Sequence, residues 1–317
     1  MHPILYVIPF FIVSMLAEWR VLVHRRREDA ASGMVGYTGK DSAASISMGL
    51  GMLGVNAVAK IAALGLYALL YRFRIFDIPF TWWGVLLVIV AEDFCYYWFH
   101  RSHHEVRMLW AAHVNHHSST HYNLSTALRQ SWTTPITGPL FWVPLPLLGF
   151  SVEMIVFAQT ISLVYQYWIH TELIGSMGWF ERVFNSPSHH RVHHGRNALY
   201  LDRNHAGILI IWDKLFGTFQ AELRDEKVDY GLTTNIETYN LVRIAFHEWA
   251  AIFRDAARAK TLRAKLGAFF MPPGWNEEGT GRTAKVMRDE ANAARDVSSH
   301  EVVSGALVRC ECSRSTS

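Results

Sequence analysis

The residues best equipped for chemistry in this chain are histidines: of 17 in 317 residues, 13 lie between His100 and His205. Three tracts share a spacing, with His100 and His104 at i and i+4, His113, His116 and His117 at i, i+3 and i+4, and His190, His193 and His194 likewise. On a helix each set occupies one face, and neutral imidazoles so placed converge on a common point. Eight such rings supply about four ligands to each of two ions, whereas a single zinc site needs only about three or four. His170, which closes an apolar run ahead of Thr171 and Glu172, is a ninth candidate ligand. His103, His121, His189 and His205 fall off these faces or in expected loops and can at most support the site from outside. Metal-bound imidazoles need an acceptor for their other nitrogen, and Asp93, Glu105, Glu172 and Asp202 stand where they can provide one. A lone histidine is more often a hydrogen-bonded core residue, and a lone acid a solvated or capping one. The triple repetition of one spacing is what favours metal.

Elements that could hold these tracts together are long apolar helices. Half of the residues are hydrophobic, and mean hydropathy is slightly positive at +0.09. The pattern predicts an all-α, polytopic membrane bundle of about four or five spans or re-entrant arms, at roughly 3–23, 44–71 and 80–99 with a hairpin over 131–170. Pro135, Pro139, Pro144 and Pro146 should kink the hairpin's first arm. Arg25, Arg26 and Arg27 after the first run place that flank in the cytoplasm, so every histidine tract emerges on the cytoplasmic side. Arg72 and Arg74, on the opposite side, run mildly against this order. Residues 100–130 and 171–271 then form a cytoplasmic cap, and 1–271 a single integral-membrane unit. Lys60, at mid-span, is either snorkelling or polar furniture of the bundle.

Outside the spans, Ile208–Phe219 is too short to cross and is interrupted by Asp213 and Lys214, so it is expected at the interface. Arg243–Phe270 reads as a basic amphipathic helix, on a lipid surface or against the cap. Residues 272–317 are polar without apolar periodicity and read as a disordered tail. Cys95 sits in an apolar run and Cys310 and Cys312 in the tail, which leaves no disulfide framework and no CxxC metal knuckle. A net charge of +3 gives no argument for nucleic acid. Aromatic residues from Tyr96 to Phe99, with Trp110, Trp132, Tyr165 and Trp168, line either a lipid channel or the membrane interfaces.

The run DFCYYWFHRSHHEVRMLWAAHVNHHS from Asp93 to Ser118, with SHHRVHHGRN from Ser188 to Asn197, resembles the membrane fatty acid hydroxylase and sterol desaturase superfamily with its HxxxH, HxxHH and HxxHH boxes. The likeness extends to the alkylglycerol monooxygenase family through YNLSTALRQS (Tyr122–Ser131), YWIHTE (Tyr167–Glu172) and IWDKLFGTF. This resemblance, covering about residues 6–239, implies a di-iron centre on His100, His104, His113, His116, His117, His170, His190, His193 and His194. It further implies dioxygen-dependent hydroxylation of a lipid C–H bond, on the carbon beside an ether oxygen in the alkylglycerol case, with tetrahydrobiopterin as external reductant. No cytochrome or iron–sulfur pattern lies in the chain, so a separate electron donor is expected.

Two other classes accommodate histidine clusters. A zinc-dependent membrane hydrolase would work without oxygen, but its HExxH box does not occur here. A metal transporter would hold its ligands near mid-membrane on broken spans, whereas these gather at helix ends. A sterol or fatty-acyl hydroxylase or desaturase of the same superfamily is the nearer alternative.

Overall fold

The computed structural model describes residues 7–28 and 33–297. Among them the regular structure is helical, with two isolated β-bridges, Phe184 with Leu209 and Gly195 with Tyr230. Four long helices come first: α1 (Ile8–Glu28), α2 (Gly39–Tyr71), α3 (Trp82–Glu105) and, after several short pieces, α8 (Val152–Trp168). Among the described residues two helices, α2 and α3, are long and apolar enough to cross a membrane. Their outer faces leave Leu50, Val58, Ile61, Trp82 and Leu86 open, an apolar band of the kind that lipid covers. Residues 3–6 of the first expected span lie outside the described residues. The remainder of that span is α1, which carries Glu18 buried and runs on through Arg25–Arg27.

The expected hairpin is uneven. Its first arm is not one helix but three short pieces, α6 (Thr134–Thr137), a 3-10 turn Pro139–Trp142 and α7 (Pro144–Leu148), each opening on a proline at its first or second position. Proline lacks the N–H that would continue the preceding turn, so the arm restarts at each one. Gly149 reverses the chain at φ +111°, where an added Cβ would meet the Phe76 carbonyl at 2.0 Å. Ser151 then caps α8 by accepting the Met154 amide. The Ile75 amide donates to the Leu147 carbonyl at 2.8 Å, tying the hairpin tip to the α2–α3 turn. α8 packs along α3, and Tyr67, Val88, Cys95, Phe99, Trp142, Leu145 and Met154 fill the space between them. Because α3 and α8 run from the tip region in the same direction, His100, His104 and His170 arrive at one end of the bundle.

The polar end is closed by α4 (Arg107–Trp110), α5 (Val114–His117), α9 (Pro187–His193) and α10 (Ile211–Phe216) around a small core of Tyr122, Val192, Leu199, Tyr200, Val228 and Tyr230. The 208–219 segment packs its α10 rings on α3, with Phe94 against Trp212 at 5.1 Å and Tyr97 stacked on Phe216 at 5.3 Å.

Two expectations change. Residues 243–270 are not one helix but α11 (Leu241–Arg258) and α12 (Leu262–Phe270), separated where Thr261 leaves the helical conformation and caps α12 through the Ala264 amide. The tail is ordered as far as 297, with a helix, α13, over 284–297. Its residues are good helix formers with no apolar stripe, and a hydrogen bond and an ion pair hold it: Arg288 donates to the Leu201 carbonyl at 2.7 Å and Arg295 pairs with Asp225 at 2.6 Å. Residues 298–317 of the expected tail lie outside the described residues.

Candidate metal centre

All nine candidate ligands meet at the polar end of the bundle, in two groups. His100, His104, His113, His117 and His193 form one, and His116, His170, His190 and His194 the other; within each group one nitrogen per ring lies within 4.8 Å of every other. The expectation that each tract aims at one point therefore needs correcting. His113 and His117 enter the first group while His116, between them, enters the second, and His190 and His194 join the second while His193 joins the first. Residues four apart share a helix face and the intervening one is rotated away from it, so each HxxHH box serves both groups. The groups adjoin, with the His117 and His194 rings stacked at 4.4 Å.

Main-chain carbonyls fix the tautomers. His100 Nδ1 donates to the His205 carbonyl (2.8 Å), His193 Nδ1 to Arg203 (2.9 Å), His170 Nδ1 to Gln166 (2.7 Å) and His116 Nδ1 to Arg129 (3.3 Å). A carbonyl only accepts, so each Nδ1 holds the proton and each Nε2 points inward as a bare lone pair. His116 Nε2 and His170 Nε2 then face each other at 3.3 Å with no proton between them. His190 Nε2 lies 3.0 Å from His170 Nε2, and His113 Nε2 lies 3.0 Å from His100 Nε2 and 3.1 Å from His117 Nε2. Two nitrogens each about 2.1 Å from one ion and at right angles are about 3.0 Å apart, so these contacts have the spacing of ligands around a cation. His104 Nε2, His193 Nε2 and His194 Nε2 are buried without any hydrogen-bond partner. Burial, and then the neighbouring imidazoles, hold His113, His117, His190 and His194 well below the usual histidine range, while burial takes His116 to about 4 and His193 to about 3. Neutral, inward-facing and otherwise unpartnered imidazoles are the donor set a soft-to-borderline metal ion requires.

The carboxylates behave differently from expectation. Of the four, only Asp202 touches an imidazole, with Oδ1 3.3 Å from His104 Nδ1. Asp93 accepts the Ile208 and Leu209 amides (2.6 and 2.9 Å) and the Trp212 indole (2.9 Å), so it holds the loop that carries the His205 carbonyl. Gly207 allows that approach, since a Cβ there would lie 2.8 Å from Asp93 Oδ1. Glu105 pairs with Arg101 one turn back, and Glu172 accepts the Val35 and Gly36 amides. These acids sit near the ligands in sequence, but unpaired amides and a guanidinium claim them first.

Of the less certain histidines, His103 is satisfied by the Phe99 carbonyl and the Thr137 hydroxyl, and His189 packs edge-on against Phe219. His121 stays in its loop beside the Thr120 hydroxyl. His205 is buried beside the first group, its ring centre 5.0 Å from that of His104, with both ring nitrogens unpartnered. The sequence reading missed Tyr122, 5.2 Å from His194 and 5.7 Å from His170 between ring centres, and the buried Asp41–Arg129 pair that stands behind the His116 acceptor. No local signal marks them, because Asp41 and Arg129 are 88 residues apart.

The architecture thus defines an all-helical protein carrying two adjoining all-imidazole sites able to bind metal at one end of an apolar bundle. Residues 85–218 match the fatty acid hydroxylase family model. The chain is 42% identical over 274 residues to human alkylglycerol monooxygenase, covering 84% of this chain and 58% of the relative. Identity to the Xenopus tropicalis alkylglycerol monooxygenase is 47% over 201 residues, 63% of this chain and 43% of the relative. A Rhizobium tropici ornithine lipid hydroxylase is 27% identical over 197 residues, 61% and 59% of the two chains. The chain spans about half the length of the curated relatives it matches. No solved structure matches it.

Proposed function

We propose that this chain is a membrane-embedded di-iron oxygenase that hydroxylates a lipid C–H bond with dioxygen, with an ether lipid of the alkylglycerol type as the leading substrate. The observation that carries the reading is the facing pair of unprotonated His116 and His170 nitrogens, set within two adjoining groups of converging imidazoles. Two cations resolve that repulsion, and the nine histidines are their ligands. The names of the relatives in two lineages, alkylglycerol and ornithine-lipid enzymes, support a lipid substrate. Iron, when bound, supplies the redox chemistry that zinc lacks and lets dioxygen attack an unactivated C–H bond.

The chain's own residues do three things. The carbonyls of His205, Arg203, Gln166 and Arg129 keep four imidazoles in the tautomer that offers Nε2 inward. The cap and its Tyr122–Tyr230 stack, 4.8 Å between rings, keep water from the second group. The apolar bundle admits the substrate from the bilayer. We assign residues 1–271 to a multi-pass integral-membrane unit with the histidines on the cytoplasmic side, extended by α13, which docks on the cap. Electrons come from a separate donor, with tetrahydrobiopterin as the candidate reductant.

The test is lipid turnover by the purified protein, reductant present, under air and under argon. Product formed only under air, as the aldehyde and free glycerol into which the hydroxylated ether carbon collapses, with ¹⁸O from ¹⁸O₂ in the alcohol obtained by immediate borohydride trapping of the aldehyde, is the expected result. Equal turnover under argon would replace the oxygenase with a hydrolase.

A further inference from the structure

At mid-length α2 turns Asn56 and Lys60, one helical turn apart, toward the broken arm rather than toward lipid. There they line a cavity of about 150 Å³ together with Gln159 of α8, Phe99 of α3 and Thr134 and Trp142 of the arm. Its wall is fixed: the Tyr67 hydroxyl donates to the Pro139 carbonyl at 2.8 Å, the Trp142 indole to Glu92 at 3.2 Å, and the Thr134 hydroxyl to the Ala112 carbonyl at 2.6 Å. The two amides are not so engaged. Among the described residues neither Asn56 nor Gln159 hydrogen-bonds to another group of the protein. An amide inside an apolar bundle without a partner is costly, and one that faces a cavity is poised for a ligand's polar atoms. The cavity ends close to the imidazoles. Thr134 is bonded to the residue before His113, and the Phe99 ring lies 4.1 Å from that of His103, itself 6.4 Å from His113.

We propose that this cavity holds the hydroxyl-bearing polar end of the lipid substrate, with Asn56, Lys60 and Gln159 as its hydrogen-bonding partners. The assignment rests on the lipid-oxygenase reading and adds the place where the substrate's head is gripped. A vicinal diol both donates and accepts at each hydroxyl, and each amide does the same; the Lys60 ammonium donates to a hydroxyl oxygen. An alkyl tail would gain nothing from three polar side chains. At about 150 Å³ the cavity takes a three-carbon polyol. A head held behind Phe99 keeps the first carbons of the chain near the imidazole groups.

The experiment measures equilibrium binding of radiolabelled 1-O-hexadecylglycerol and of hexadecyl methyl ether, which lacks the hydroxyls, to the iron-loaded protein in phosphatidylcholine nanodiscs under argon without reductant. Wild type is compared with Asn56→Leu, Lys60→Met and Gln159→Leu, polar-to-apolar changes that membrane insertion tolerates. Affinity for hexadecylglycerol should fall about threefold to tenfold in the amide variants and about tenfold or more in Lys60→Met, with iron content and methyl-ether affinity unchanged. Unchanged hexadecylglycerol affinity in all three variants, equal losses for both ligands, or no saturable binding to wild type would each overturn the assignment. Binding is read without turnover, so a protein that binds the diol as expected yet never oxidises it would refute the oxygenase reading alone.

Discussion

His116 and His170 point unprotonated Nε2 atoms at each other across 3.3 Å, because each keeps its proton on Nδ1 and donates it in a hydrogen bond to a main-chain carbonyl. Two lone pairs at that distance repel unless a cation lies between them, and around His113 in the first group the ring nitrogens crowd to 3.0 and 3.1 Å. The ligand partition follows directly. His194→Ala should lose the metal of the second group and His193→Ala that of the first, each removing turnover while the other group's ion is retained at least in part. Elemental analysis of each variant reads this; loss of all metal in both would mean one shared site.

Among the described residues Asp202 is the one acid bonded to a candidate ligand. Asp202→Asn replaces the carboxyl that contacts His104 Nδ1 and should weaken metal affinity by about 10–100-fold, read by chelator competition. Glu105→Gln, one turn from its Arg101 partner and away from the imidazoles, should leave metal affinity unchanged.

How far the site could be read from sequence follows from what sets each feature. The nine histidines were legible because helical spacing is local: residues four apart share a face wherever the helix goes. Their division between two groups was not, since it depends on how α5 and α9 are turned against α3 and α8. The same reason places Asp93, Glu105 and Glu172 away from the imidazoles, while Asp202 does reach His104. Asp93 is one turn and three residues before His100 in sequence, yet in space the amides of Ile208 and Leu209, more than 100 residues on, reach it first. The helical bundle was visible as apolar runs and the broken arm as prolines, whereas α13 has no apolar stripe and is held by ion pairs to the cap.

The Arg129–Asp41 pair is buried, with Arg129 also bonded to Ser45 and Ser118. Asp41→Leu alone strands a buried guanidinium and should destabilise by about 3–5 kcal/mol. The double change Asp41→Leu with Arg129→Met should recover most of that, because an apolar pair replaces an ion pair of similar volume. Thermal unfolding in detergent of the two variants beside wild type decides it; equal loss in both would assign the effect to shape rather than charge.

The metal-free protein should weaken in acid. His116 and His193 hold pKa values of about 4 and 3 in the folded chain against an ordinary 6.5, so the unfolded chain binds more protons below 6.5. Their contribution to stability is complete above pH 6.5 and is lost as pH falls through the window from 6.5 toward 3. The unfolding midpoint of chelator-stripped protein should therefore drop between pH 7.5 and pH 5, and a midpoint flat across that range would contradict the buried, neutral assignment.

The most direct measurement is the metal content of the detergent-purified protein, with Mössbauer spectroscopy of ⁵⁷Fe-grown material to report whether the irons are coupled. Two irons per chain, coupled in the oxidised state and reduced to about one by His193→Ala or His194→Ala, is the predicted result. Zinc as the sole stoichiometric metal, or a single isolated iron, would contradict the di-iron account.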